Sequence, residues 1–168
     1  MSEPLTPADR PEFVVSGLFT TRHRLETAAG VRGVFTFPAL RSLGLFHTPE
    51  GREWIARRTS WWRGEYELRE GETVLATARP RGFLRREVEV TFGDRSYTLQ
   101  PVRFWGRAWR LCDEAGAPLL EVHPKGVFRR EVRLEVMSPV DLPLVVFTYY
   151  LAYTRWQEEA AAAAAAAS

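Results

Sequence analysis

Apolar and polar residues alternate with period two along two clear stretches: Val88, Val90 and Phe92 against Glu87, Glu89 and Thr91, and Val132, Leu134 and Val136 against Glu131, Arg133 and Glu135. Such alternation marks strands with one buried and one wetted face. Other β-favouring runs are separated by turn signals at Ala29-Gly30, Thr48-Pro49-Glu50-Gly51, Glu70-Gly71-Glu72, Gly93-Asp94 and Asp113-Glu114-Ala115-Gly116, which predicts a meander of hairpins beginning near Phe13-Val14-Val15. Residues 1–12, with three prolines and little apolar content, read as a flexible N-terminal tail.

An internal repeat organises the meander. Pro80-Arg81-Gly82-Phe83-Leu84-Arg85-Arg86-Glu87-Val88 recurs as Pro124-Lys125-Gly126-Val127-Phe128-Arg129-Arg130-Glu131-Val132. Upstream of each copy lie an aromatic strand (Trp61, Trp62, Tyr66; Trp105, Trp109), an acidic turn and an apolar strand (Val74, Leu75; Leu119, Leu120), so a unit of three strands is used twice. In the first third, Phe35, Phe37, Leu43, Leu45, Trp54 and Ile55 predict about four further strands.

The pattern changes at Ser138-Pro139-Val140-Asp141. Asp141 stands where a helix cap belongs and Pro143 fits a first turn, so a helix is expected over 142–156, apolar on all sides up to Tyr153. A helix of that kind is buried in protein or inserted in lipid. Arg155, Gln157, Glu158 and Glu159 cut the run short of the roughly 20 residues that span a bilayer, which favours burial, with Phe147 among the core residues. The Ala-rich tail, 160–168, prolongs the helix or frays.

Ten to twelve strands close into a barrel with a lumen too wide for wall side chains to fill. A helix about 10–12 Å across suits that space, and 15 residues of helix, about 22 Å, match a strand of about seven residues. The expected fold is therefore mainly β: a single domain over 13–159, a closed antiparallel barrel around a buried C-terminal helix.

Composition narrows the chemistry. Against 21 acidic residues stand 23 basic ones, a net charge of +2 that provides no global field for nucleic acid. Lys125 is the only lysine and asparagine is absent, a codon-level bias that fits a GC-rich bacterial genome. Cys112 is the one cysteine, which excludes an internal disulfide or a multi-cysteine metal cage and fits a reducing cytoplasm. The start, Met1-Ser2-Glu3-Pro4, has no signal-peptide character. His23, His47 and His123 lack metal-ligand spacing, and no phosphate loop, nucleophile elbow or carboxylate pair is present. No catalytic residue, cofactor or metal is expected.

The strand-rich layout, the repeated β units and a last strand (Val132–Val136) passing through Ser138-Pro139-Val140-Asp141 into an apolar helix resemble the tubby C-terminal-like superfamily, nearest its LURP-one-related branch, over 13–159. The resemblance implies twelve strands around the helix. Related branches, tubby and the phospholipid scramblases, imply association with phosphoinositides or membranes, although no acidic calcium loop is visible here.

The arginine doublets carry the remaining chemistry. Arg81, Arg85, Lys125 and Arg129 form a candidate anion site, since guanidinium forks suit phosphate; pairing with Glu87, Glu89, Glu131 and Glu135 is the ordinary alternative. Trp61, Trp62, Trp105 and Trp109 are expected in the core. By alternation Arg86 and Arg130 share the inward parity of Leu84 and Phe128. A bulge, a place at the barrel mouth or a buried partner would each resolve that conflict, and the reading favours a buried partner on the helix. The functional expectation is a non-enzymatic binding or scaffold module for an acidic ligand such as a phospholipid head group. An enzyme of unrecognised chemistry in a barrel-mouth pocket is the alternative.

Overall fold

A computed structural model of the chain describes residues 3–17, 21–38, 42–84, 86–103, 107–125 and 130–168. Twelve strands follow one another as β1 (Glu12–Ser16), β2 (Thr21–Thr27), β3 (Gly30–Phe37), β4 (Leu43–His47), β5 (Glu53–Ser60), β6 (Glu65–Glu70), β7 (Thr73–Arg81), β8 (Glu87–Phe92), β9 (Arg95–Pro101), β10 (Trp109–Cys112), β11 (Pro118–Lys125) and β12 (Glu131–Val136), and a helix, α1 (Leu142–Ala166), ends the chain. Each strand pairs antiparallel with its sequence neighbours, and β1 closes on β12 through Phe13 opposite Val132. The closed barrel leaves no free sheet edge.

The repeat runs through the whole wall. β2, β6 and β10 begin at Thr21, Glu65 and Trp109, and β4, β8 and β12 at Leu43, Glu87 and Glu131, each 44 residues after the last. Three four-strand units therefore make the barrel, which corrects the expected three-strand unit used twice: the recurring motif marks only one connection per unit and leaves the fourth strand uncounted. Their inward positions correspond through the strand registers: Leu25, Leu68 and Leu111 face in, as do Phe35, Ala78 and Val122, and Phe46, Val90 and Leu134. The first unit escapes notice in the sequence because its rim connection lacks Arg-Arg-Glu-Val and its inward side chains are redistributed, with phenylalanine at 35 and 46 and glycine at 33 and 44. Gly44 makes room for the Phe35 ring, where the later units have Val88 and Val132.

The helix fills the lumen. Leu142 and every residue from Leu144 to Ala152 are buried, including Thr148. Tyr149 stacks on Phe13 of β1 at 3.7 Å between centroids, and Tyr150 meets Tyr66 of β6 edge-on at 6.0 Å, so the helix touches the wall on different sides. Asp141 takes the N-cap position, its carbonyl accepting from the Val145 N–H at 3.0 Å, but its side chain makes no capping bond. The polyalanine segment continues the helix to Ala166, beyond the last buried residue, Trp156.

Residues 3–11 correct the expectation of a loose tail. Leu5 is fully buried and exchanges backbone hydrogen bonds of 2.8 and 2.9 Å with Val140, and the Ala28 N–H bonds the Asp9 carbonyl at 2.9 Å. This segment closes the end of the barrel where α1 starts. Because successive strands alternate in direction, the odd-to-even connections all lie at the opposite end, where α1 leaves.

Candidate functional site at the helix-exit rim

The two ends of the barrel differ in charge. Connections at the base, where α1 starts, comprise 28–29, 48–52, 71–72, 93–94, 113–117 and 137–141; they contain Glu50, Glu72, Asp94, Asp113, Glu114 and Asp141 against a single base, Arg52. At the rim, where α1 leaves, the connections are 17–20, 38–42, 61–64, 82–86, 102–108 and 126–130, and along the sequence they contain no Asp or Glu. Their described residues include Arg63, Arg86, Arg103, Arg107 and Arg130, all exposed. A net charge near zero thus conceals a polarised molecule.

The rim also holds the most exposed large apolar side chains: Trp61 at 69 %, Trp62 at 92 %, Phe83 at 99 % and Leu84 at 70 %. They occupy two connections, β5–β6 and β7–β8, that are neighbours around the rim because β6 pairs with β7. The core assignment of Trp61 and Trp62 is thereby corrected, whereas Trp109 is buried as expected and Trp105 lies outside the described residues. Alternation had suggested a core place, but both tryptophans sit in a turn after β5, where period-two parity no longer applies.

Of the candidate anion ligands, Arg81 ends β7 and Lys125 ends β11, while Arg85 and Arg129 lie outside the described residues. Arg81 is exposed and forms no ion pair among the described residues. Lys125 is engaged by Glu12 at 3.0 Å and Glu131 at 3.8 Å. Four strand spacings of about 4.8 Å, roughly 19 Å along the wall, separate β7 from β11. The two cations therefore ring the rim rather than converge. On the outer wall other bases carry the cross-strand pairing, as in Arg57–Glu67 at 2.7 Å and Arg79–Glu89 at 2.8 Å.

Arg86 and Arg130 are exposed, which overturns their expected burial. Each precedes its strand, so it belongs to a rim connection, and the inward parity never applies to it. The helix is anchored to the wall by other groups: the Tyr150 hydroxyl donates to the Ser42 carbonyl at 3.2 Å, Trp156 Nε1–H to the Arg107 carbonyl at 2.8 Å, and Arg58 Nη1 to Glu158 at 3.3 Å. Arg58, which follows Arg57 in β5, stands on the inward parity of Trp54 and Ala56. No local signal marks it, since its partner lies 100 residues away.

Two cavities flank the helix at this end. The larger, about 560 Å³, lies between α1 and strands β2 to β6 and is lined among others by Phe37, Leu43, Arg58, Tyr66, Tyr150 and Tyr153. The smaller, about 200 Å³, includes Val15, His23, Tyr149, Tyr153 and Trp156. His23 is buried, and its Nδ1 meets the Tyr149 hydroxyl while Nε2 has no partner among the described residues. Desolvation lowers the His23 pKa to about 4 and holds Tyr149 protonated by raising its pKa well above the usual phenol value. In the larger cavity burial likewise raises Tyr66 and Tyr150, so both stay neutral phenols.

Elsewhere, Glu121, His123 and Glu135 cluster on the outer wall across β11 and β12, with ligand atoms within 4.8 Å of one another. Glu121 is already bonded by Arg110 at 2.6 Å and by His123 at 2.7 Å, so this group is satisfied as an ion-pair network. Cys112 is buried, and desolvation raises its pKa, which makes it an inert thiol despite nearby Arg110.

Comparison with known protein families, curated proteins and solved structures finds no match. No helix among the described residues is long and apolar enough to cross a membrane. Function has to be argued from the rim and its cavities.

Proposed function

We propose that this domain is a non-enzymatic binding module that docks its helix-exit rim on anionic phospholipid surfaces. The observation that carries the reading is the coincidence, at one end only, of four exposed apolar side chains with arginines and no acidic residue in the connections. Tryptophan, phenylalanine and leucine side chains gain from insertion at the boundary between head groups and acyl chains, and each base near an anionic surface contributes about 1 kcal/mol. The acidic base of the barrel is repelled by the same surface and orients the molecule rim-down.

Arginine interleaved with tryptophan also suits single-stranded nucleic acid, but such ligands follow a groove with stacking platforms along it. The exposed apolar side chains here are confined to two neighbouring connections of the rim, and none of Trp62, Phe83 and Leu84 lines either cavity. The barrel-mouth cavity offers an enzyme less than it offers a ligand: of its titratable groups, Tyr66 and Tyr150 are held neutral and Arg58 is paired with Glu158. Membership of the tubby C-terminal-like superfamily stays part of the proposal. The closed twelve-stranded barrel and its C-terminal helix support it, as does the lipid association that membership implies. A cytoplasmic, bacterial setting is proposed on the reduced, buried Cys112 and the codon bias.

Sedimentation with phosphatidylcholine vesicles, with and without phosphatidylglycerol, tests the reading. Retention on the anionic vesicles alone is expected, lost in Trp62→Ser/Phe83→Ser. Equal retention on both, retention on neither, or tighter binding to a single-stranded oligonucleotide would overturn it.

A further inference from the structure

The larger cavity has a lining divided by chemistry. Phe37, Leu43, Tyr150 and Tyr153 supply an apolar side, and at about 560 Å³ the space falls within the range of small-molecule sites. Arg58 is the one cation among the described lining residues. Its guanidinium lies 4.6 Å from the Trp61 ring centroid and 5.4 Å from that of Tyr66, so two aromatic faces hold it in place. Its salt bridge is loose: Nη1 meets Glu158 Oε1 at 3.3 Å, and the same oxygen lies 3.4 Å from the Tyr66 hydroxyl. The Glu158 side chain is 41 % exposed, and its other oxygen, Oε2, is held as loosely by Arg155 Nη1 at 3.4 Å, so Arg155 can keep the carboxylate when Arg58 gives it up. Arg58 Nε is shielded from solvent and has no hydrogen-bond partner among the described residues, so the terminal nitrogens are the ones a ligand can reach. A guanidinium positioned by two rings, whose Nη1 is met only by a long, partly exposed carboxylate contact, is prepared for a better anion, because its terminal fork binds two oxygens of a carboxylate or phosphate at once.

We propose that this cavity binds one molecule of a single-chain amphiphile with an anionic head group. The alkyl chain lies against Phe37, Tyr150 and Tyr153, and the head group takes Arg58 in place of Glu158. Gln157, also in the lining, provides a neutral hydrogen-bond donor beside it. Carboxylate and phosphate head groups share the chemistry required. The inference uses the cavity and not the membrane reading, since Trp62, Phe83 and Leu84 are not among its lining residues.

The test is calorimetric titration of the full chain, in the absence of vesicles, with dodecanoate and with monododecyl phosphate below their micellar concentrations. Saturable one-to-one binding is expected for at least one of them, and their relative affinities identify the head group. Dodecanol and dodecyltrimethylammonium should bind at least tenfold more weakly. Arg58→Gln should remove that preference, and Thr154→Phe, which fills the cavity, should abolish binding. Glu158→Gln, an exposed and fold-neutral change, should tighten binding several-fold by deleting the competing carboxylate. Trp62→Ser/Phe83→Ser should leave it unchanged, so a failure of vesicle docking and a failure of this site are separable. The proposal is overturned if neither anion binds, if the cationic or neutral amphiphile binds as well as the anions, or if Glu158→Gln weakens binding.

Discussion

Arg58 of β5 meets Glu158 of α1 at 3.3 Å, tying the wall of the barrel to the helix just past its last buried residue, Trp156. The bond sets where the enclosed helix stops being core and becomes rim. Its energetic weight is small, because Glu158 is well exposed and solvent screens the pair. A double-mutant cycle with Arg58→Gln and Glu158→Gln, read by urea denaturation, should give a coupling of about 0.2–1 kcal/mol. A coupling of several kcal/mol would mean that the pair is buried and not a loosely held gate.

Phe147 lies at the centre of the buried part of α1 and is fully inaccessible. Phe147→Asp loses aromatic packing worth about 3–5 kcal/mol and adds an unpaired buried carboxylate, against a typical total stability of about 5–15 kcal/mol. The variant is expected to be unfolded at room temperature by circular dichroism. Melting within a few degrees of the parent would contradict the enclosed helix.

His23 makes stability depend on pH. The Tyr149 hydroxyl proton has no other acceptor among the described residues, so it is donated to Nδ1, and Nε2 carries the hydrogen without a partner. The surroundings, Phe37, Tyr149 and Tyr153, contain no carboxylate to favour an imidazolium. With a native pKa of about 4 against an ordinary 6.5, both states are neutral above pH 6.5. As pH falls from there towards 4, the unfolded chain binds a proton that the native state refuses. Stability therefore declines across that window by about 3 kcal/mol in all. Urea titrations of the parent and His23→Phe should diverge between these limits; parallel pH profiles would place the histidine in water.

Gly44 tests the packing of the first unit. A methyl group there would lie inside van der Waals contact of the Phe35 ring, although Val occupies the equivalent positions 88 and 132. Gly44→Ala should cost about 1–3 kcal/mol, at roughly 2–4 °C of Tm per kcal/mol for a domain of this size. In a Phe35→Ala background, which itself costs about 3–5 kcal/mol but removes the clashing ring, the added cost of Gly44→Ala should largely vanish.

Salt should separate the two halves of the rim's proposed grip. Charge attraction acts over about 8 Å at physiological ionic strength and about 3 Å at 1 M. In vesicle sedimentation at high salt, preference for anionic over neutral vesicles should vanish, while the contribution of Trp62 and Phe83 persists. A preference unaffected by salt would argue against the arginines.

Period-two patterning, the turn residues and the all-apolar stretch from Leu142 onward were enough to determine a β-barrel with an enclosed helix, because burial of one face per strand and all faces of a helix is written directly in residue order. The repeat was legible in two of its three copies, those whose rim connections kept Arg-Arg-Glu-Val. Only the tertiary structure decided the rest. The first copy was hidden because the helix presents different side chains to each third of the wall, so Phe35 and Ala78 fill equivalent places in unlike ways. Arg86 and Arg130 were misread because alternation says nothing about where a strand begins. The Arg58–Glu158 bond, the His23–Tyr149 pair and the division into an acidic base and a basic, aromatic rim depend on strand direction and on closure of the barrel. Those bring together residues a hundred positions apart, and no local pattern in the chain encodes their meeting.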